Sequence, residues 1–426
     1  MDKSQVLMNT FTFVFLLALV ASFAIEFWLA RRHGAHVLAN RDRVPEPFQE
    51  VITLEAHQKA ADYTLAKLKV QEAGRILAAG LLLLFTLGGG IDALDRFLSR
   101  FVWGDTSHGI ALILSTMFLM TLAELPLSIY QTFVVEEKFG FNRTTVAQYL
   151  KDLILQTVLA LAIGAPLLGL ILWVMDSTGR WWWLLAWAIL MSFSLFMSWA
   201  YPTLIAPLFN KFTPLDNPDL KQRIGRLLER CGFQSKGIFV MDGSRRSGHG
   251  NAYFTGIGNN KRIVLFDTLI ESLEPEELEA VLAHELGHFK RRHVLKMLLT
   301  SAFMSLIGLA LLGWLAQQPW FYEGLGVSRP SNATALLLFM LVMPVFSTFL
   351  QPLMAAIQRK YEFEADEFAA SMTRAESLIH SLVKLYRENA ATLTPDPLYA
   401  AFHYSHPPAA IRIEHLQRVQ TQGEAA

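Results

Sequence analysis

His284-Glu285-Leu286-Gly287-His288 sets two imidazoles and a carboxylate at a spacing that has a specific chemical use. On a helix, residues four apart share a face, so His284 and His288 can turn two ring nitrogens toward one ion. Glu285 lies one position along, where its carboxylate can reach a water in the ion's open position. This H-E-x-x-H pattern belongs to zinc peptidases: two ligands and a general base. Catalytic zinc takes three protein ligands and keeps one position for water, so a third ligand must come from elsewhere. The run Arg359-Lys360-Tyr361-Glu362-Phe363-Glu364-Ala365-Asp366 offers three carboxylates, Glu362, Glu364 and Asp366, which chemistry alone does not separate. The competing reading of that run is a charged, solvated helix end.

The elements that must position these groups are largely membrane helices. Of 426 residues, 53% are hydrophobic and 17% charged, against about 25% charge in a soluble domain. Formal net charge is zero, so nothing points to nucleic-acid binding. Cys231 is the only cysteine, which excludes an intrachain disulfide and a thiolate zinc cluster. Seven apolar runs can cross a bilayer, at about 7–30, 76–98, 109–133, 147–175, 181–208, 294–316 and 333–356. Gly88-Gly89-Gly90 and Asp92 interrupt the end of the second. The first could pass for a cleaved leader, given Lys3 and the small residues near Ala21. Its apolar character continues through Phe27-Trp28-Leu29-Ala30 to Arg31-Arg32, so a retained anchor is expected.

Basic residues set the orientation. Arg31, Arg32, Arg41, Arg43, Lys59, Lys67, Lys69 and Arg75 crowd the loop 31–75, whereas the loop 317–332 has only Arg329 beside Trp320, Phe321 and Tyr322. The positive-inside rule puts the N-terminus outside and the loop 31–75, the segment 209–293 and the C-terminus in the cytosol. The tripeptide Asn332-Ala333-Thr334 has sequon form but carries no weight.

Between Asn210 and His293 the chain turns polar. An amphipathic helix is expected over 217–232, then strands at Gly237–Met241, Asn251–Thr255 and Arg262–Phe266, with Gly243, Gly248 and Gly250 marking turns. A small sheet beside the metal helix would offer an edge strand to an extended peptide. Asn251-Ala252-Tyr253 is the candidate edge, with a plain structural strand as the alternative. The metal helix is expected to start near Ser272, with Pro275 in its first turn, and to run on into the sixth span at Val294. Six residues separate His288 from that span, roughly 9 Å along a helix, which puts the metal at the membrane boundary.

Several separated strings carry a resemblance: Phe133-Val134-Val135-Glu136-Glu137-Lys138-Phe139-Gly140-Phe141-Asn142, Ile205–Phe212, Asp242–Ser247, Asn251-Ala252-Tyr253-Phe254, Lys261–Thr268 and Tyr404-Ser405-His406-Pro407-Pro408. With H-E-L-G-H they run nearly end to end, and together they make the chain similar to the zinc-metallo CAAX prenyl endopeptidases, which are type I, gluzincin-like membrane enzymes. The resemblance implies one Zn2+ per chain, with Glu362 of the E-F-x-A-D string as third ligand and Asp366 supporting a ligand histidine. It implies substrate contacts along Asn251, Ala252, Tyr253 and Phe254. The family's late histidine and arginine fall on His406 and Arg412, donors suited to an oxyanion; the alternative is two surface residues of a C-terminal helix. His293 is either a supporting residue or an interfacial histidine.

The expected fold is an α-helical polytopic membrane protein of about seven transmembrane helices around a chamber, with a small α+β zincin-like cytosolic part. Its expected parts are 1–208 (spans one to five, with the loop 31–75), 209–293 (the segment carrying H-E-L-G-H), 294–356 (spans six and seven) and 357–426 (a helical segment with the third ligand). The expected function is cleavage near the C-terminus of prenylated CAAX-type proteins in a bilayer, with Glu285 taking the proton of the attacking water. A quality-control endopeptidase with unprenylated substrates is the nearest rival. A site-2-type protease is disfavoured by the charges flanking the motif, Glu276, Glu277 and Glu279 before it and Lys290, Arg291 and Arg292 after it. A transporter with a structural zinc could use Glu124, Lys151 and Asp152 as an ion path. The tail Thr421–Ala426 has no organelle-retrieval signal, which favours a bacterial inner membrane, and hence a bacterial homologue, over the endoplasmic reticulum.

Overall fold

The computed structural model describes residues 9–101, 104–233, 235, 237–255 and 262–424. Lys3, Lys261 and the last two residues of the tail lie outside the described residues. Six helices among the described residues are long and apolar enough to cross a membrane, and a bent pair makes a seventh candidate. That pair is Leu54–Phe85 with Gly90–Leu98, bent by 57°. The bend falls on the glycines that interrupt the apolar run. Gly89 has φ +74°, open to glycine without strain, and a Cβ on Gly88 would sit 2.7 Å from the Leu84 carbonyl oxygen.

The first helix, Thr10–Ala39, is capped by Asn9, whose side chain accepts the Thr12 N–H. It buries Phe15, Leu19, Leu29 and Val37 in the protein, and Asn9 donates to the Trp320 carbonyl (2.8 Å). The segment 31–75 is mostly helical, because the first helix runs to Ala39 and the second begins at Leu54. Helix Asp105–Tyr130 ends in a π-helical segment, Gln131–Glu136, and helix Val146–Ser177 follows. Trp182–Ala200 then leads through a second π-helical turn into the soluble part. His293–Leu315 and Asn332–Ser347 complete the membrane set.

Small residues permit close helix crossings here. A Cβ on Gly109 would lie 2.8 Å from that of Ala333, and one on Gly313 would lie 2.8 Å from Trp183. Phe15, Ile113, Leu172, Leu312 and Leu338 form the shared core, while Leu17, Phe118, Ile154, Leu299 and Phe303 are exposed on the apolar helices. The chain is therefore a polytopic membrane protein.

The soluble part holds a four-stranded sheet of β1 (Phe212–Pro214), β2 (Ile238–Met241), β3 (Ala252–Thr255) and β4 (Arg262–Phe266), in the order β1-β2-β4-β3. The short β1, with a proline at its end, carries too little pattern to be read from sequence. β3 pairs with β4 antiparallel and stands at the sheet's edge. Helix Pro218–Arg230 buries Leu220, Ile224, Leu227 and Leu228 as its apolar stripe predicts.

The H-E-L-G-H helix spans Pro275–Lys290 and does not continue into the membrane. Arg292, at φ 59°, breaks it, and a new helix starts at His293. The expected continuous helix is thus two helices joined by a left-handed turn. Asp152, read above as a possible ion-path charge, instead meets Arg246 at 2.8 and 2.9 Å and ties helix Val146–Ser177 to the soluble part.

Helix Gln351–Met372 packs against the H-E-L-G-H helix, and both contribute to the soluble core with Leu278, Leu282, Leu286 and Phe368. The crossing is tightest at Gly287. A Cβ there would stand 3.0 Å from Ala365 Cα, 3.1 Å from its carbonyl oxygen and 3.3 Å from its Cβ. Backbone cannot move aside as a flexible side chain can. Gly287→Ala is therefore expected to cost about 1–3 kcal/mol of overpacking strain. The expected readout is a lower thermal unfolding midpoint for the detergent-solubilised variant, with less metal retained after dialysis; an unchanged midpoint and metal content would show that the crossing has slack.

Candidate metal centre

The two crossing helices each present a pair of polar groups one turn apart, and the pairs meet in antiparallel order. His284 faces Asp366, with Nδ1 and Oδ1 2.8 Å apart. His288 faces Glu362, with Nε2 and Oε1 3.4 Å apart. Glu362 also comes within 3.4 Å of His284 Nε2 through its other oxygen. One ligand atom from each of His284, His288 and Glu362 lies within 4.8 Å of the others, and this is the one such triad found among the described residues.

The surroundings fix which ring nitrogens stay free. His284 Nδ1–H donates to Asp366, which leaves Nε2 bare. His293 Nε2–H donates to Glu364 (2.9 Å), so its Nδ1 can accept from His288 Nδ1–H at 3.0 Å, and His288 Nε2 is bare as well. The two free nitrogens stand 3.3 Å apart with no proton assigned between them. Two lone pairs at that distance repel unless positive charge lies between them. Glu362 Oε2 is buried without a hydrogen-bond partner, a costly arrangement that a cation would relieve. These features fit a bound metal ion whose ligands are oriented by hydrogen bonds from behind.

The electrostatics agree. Burial works against a charged His284, yet the carboxylates of Asp366 and Glu362 beside its two ring nitrogens outweigh that and lift it to about 9. His288 is pushed down to about 4, first by burial and then by the neighbouring His284. Arg412, buried at 6% exposure, grips both Asp366 oxygens (Nε–Oδ2 2.9 Å, Nη2–Oδ1 2.6 Å). Its remaining arm, Nη1, lies 3.8 Å from Glu362. The guanidinium thus balances a carboxylate that would otherwise be buried with only an imidazole beside it.

His406 stands at the rim, largely exposed, with Nε2 3.4 Å from Glu362 Oε1 and Nδ1 2.9 Å from Ser405 Oγ. His293 lies 1% exposed behind His288 and stacks on Tyr361 at 4.3 Å, so it is no interfacial side chain. Glu364, one of the three carboxylates left open above, faces His293 and Lys296 rather than the triad.

A cavity of about 360 Å³ opens beside the triad, lined by His284, Glu285, His406 and Arg412. Glu285 is half-buried there, and burial is the main cause that raises its carboxyl above the usual range. Asn251 and Ala252 line the same cavity. Tyr253 and Phe254 do not; their rings pack on Phe266 and on Phe233 and Phe289. Leu378, Leu382, Leu385 and Tyr386, along helix Ala375–Glu388, and Asn389 just after it line the cavity as well. None of these was singled out from the sequence, although the apolar spacing 378, 382, 385 marks a buried face. A larger cavity, about 740 Å³, lies at the opposite ends of the membrane helices beside Asp95, His108 and Arg329.

Replacing Asp366 with Asn keeps the volume but leaves Arg412 without its counter-charge and weakens the hold on His284. Apparent metal affinity, read by chelator competition on the purified protein, is expected to fall by ~10–100-fold. Affinity within a factor of two of wild type would show that His284 needs no such support.

Against this geometry, residues 34–211 match the family described as CAAX prenyl protease N-terminal, five membrane helices, and residues 214–420 match peptidase family M48. A CAAX prenyl protease 1 homolog of Dictyostelium discoideum is 35% identical, with 95% of each chain covered. CAAX prenyl protease 1 of Saccharomyces cerevisiae is 33% identical, with 94% of each covered. The crystal structure of S. mikatae Ste24p superposes with a TM-score of 0.89 at 32% identity, over 96% of this chain and 99% of that one.

Proposed function

This chain belongs to the M48 peptidases of the CAAX prenyl protease type, and from that membership we propose a zinc endopeptidase that cleaves near the C-terminus of prenylated CAAX-type proteins. The observation that carries the chemistry is the meeting of His284, His288 and Glu362 beside a cavity that also holds Glu285. We assign these three side chains as the ligands of one Zn2+, which when bound supplies Lewis acidity and an acidified water.

The chain's own groups then divide the work. Asp366 and the Glu364–His293 pair fix the tautomers of His284 and His288, so that each offers Nε2. Glu285 accepts the proton of the attacking water. It can return that proton to the leaving amine. His406 and the free arm of Arg412 face the place where negative charge would develop on the scissile carbonyl oxygen. The outer edge of β3, beginning at Asn251 and Ala252, can take an extended substrate by main-chain hydrogen bonds.

A lipidated C-terminus suits this placement. The next helix, apolar enough to cross a membrane, begins at His293, five residues from His288. A prenyl chain can stay in apolar surroundings while the peptide reaches the ligands. The basic residues of 31–75 support a cytosolic face for the site.

Glu285→Gln is expected to retain zinc and lose cleavage of a farnesylated CAAX peptide by ~10²–10⁴-fold. Measured zinc stoichiometry with single-turnover cleavage checks this, and full turnover by the variant would remove Glu285 from the role of base. Parallel cleavage of the farnesylated and unlipidated peptides tests the substrate class. Equal kcat/KM on both would favour a quality-control peptidase.

A further inference from the structure

Three of the separated strings singled out in the sequence converge at one place away from the ligands. The turn after the π-helical segment Gln131–Glu136 clasps the loop that launches β3. Asn142 forms an antiparallel bridge with Ser247, Arg143 N–H donates to the Arg246 carbonyl (3.1 Å), and Gly248 N–H donates to the Phe141 carbonyl (3.1 Å). Arg246 is held in turn by Asp152 and by Asn210 (2.9 Å). His249 sits at the centre of this clasp, its ring stacked on Phe141 at 4.3 Å and 19°.

His249 has polar neighbours on two sides. Asn389 Oδ1 receives Gly250 N–H at 3.3 Å, so that atom is the amide's acceptor, and His249 Nδ1, 3.1 Å from it, must be the protonated nitrogen. The opposite ring nitrogen, Nε2, faces Tyr63 Oη at 3.5 Å and Glu136 at 3.7 Å. Glu136 is itself fixed, accepting from the buried Tyr63 hydroxyl (2.8 Å) and from Gln131 Nε2 (2.6 Å). One imidazole therefore lies between the Tyr63–Glu136 pair of two membrane elements and Asn389. Asn389 lines the cavity, and the Gly250 N–H that it also holds is two residues from the first residue of β3.

We infer that His249 is a positioning residue for substrate: through Asn389 and Gly250 it sets the substrate-facing edge of β3 against the cavity wall, with its own ring held by stacking on Phe141 and Tyr63. This deepens the peptidase reading above and rests on it. His249 touches no ligand residue of the triad, so its loss should weaken peptide binding and leave the metal in place. The effect should be alike for lipidated and unlipidated peptides, because an edge strand holds main chain.

The test uses the full-length protein in detergent or liposomes. Zinc content, kcat and KM are measured for wild type, His249→Ala and His249→Asn on both the farnesylated CAAX peptide and its unlipidated form. Peptide binding is measured separately on the Glu285→Gln background. The Asn side chain can place an N–H near the position of imidazole Nδ1, so it keeps the donor to Asn389. His249→Ala is expected to raise KM and peptide Kd about tenfold, with kcat within threefold and zinc stoichiometric; His249→Asn should recover most of that loss. Adding Asn389→Ala to His249→Ala should cost little more than His249→Ala alone.

The inference is overturned if His249→Ala leaves KM and Kd within twofold, or if it lowers zinc and kcat with KM unchanged. Should His249→Ala not fold, His249→Asn decides alone: KM near wild type supports the donor role, and a tenfold rise overturns it. A wild-type enzyme that cleaves neither peptide speaks against the peptidase reading itself, and binding on the Glu285→Gln background still reports on His249.

Discussion

Two helices cross so closely at Gly287 and Ala365 that a carboxylate on one stands between two imidazoles on the other. Everything chemical in the molecule depends on that distance. A side chain at Gly287 would meet backbone, and a shift of even one ångström would take Glu362 off one of the histidines. The close approach is affordable because the crossing lies within a continuous apolar core, Leu278, Leu282 and Leu286 on one helix and Phe368 and Ala369 on the other. Packing at native density makes such a core stiff, and stiffness is what a ligand set needs.

The same crossing buries an unusual density of charge. His284, Glu362, Asp366 and Arg412 are each under a tenth exposed. Placed singly, each would carry a large desolvation cost. They are tolerable because they compensate one another, Arg412 across both Asp366 oxygens and Asp366 against His284. Glu362 Oε2 is the exception, a buried acceptor left without a donor. Among these four side chains, one buried oxygen facing two bare nitrogens is the arrangement a cation would complete.

The membrane helices do more than anchor the soluble part. Arg32 and His33, at the end of the first helix, meet Asp396 at the start of the helix that leads to His406. Arg359, one turn before Glu362, reaches the carbonyls of Ala400 and Tyr404 at the far end of that helix. Tyr63 and Glu136 reach the loop ahead of β3. The rim of the cavity is thus tied to four separate helical elements, so the site's geometry depends on how the bundle packs.

Much of this was legible in the chain itself. The i, i+4 spacing of His284 and His288 identifies the metal face because helical geometry is local, and the apolar runs identify the membrane segments because lipid admits few alternatives. The amphipathic pattern of 217–232 and the β-rich runs at 238–241 and 262–266 also appear as elements, within a residue or two. Among Glu362, Glu364 and Asp366, however, residue chemistry was silent; the family resemblance favoured Glu362. The angle of the crossing decides which carboxylate faces the imidazoles, which supports His284, and which turns aside to His293. The break at Arg292 was hidden for a similar reason: an arginine in the left-handed region has no sequence signature, and only the diverging axes of two packed helices demand it. His249 and Asn389, 140 residues apart, acquire a shared meaning only once folding sets them 3.1 Å from each other. Local spacing thus determined what chemistry the chain could do, and long-range packing decided which atoms were placed to do it.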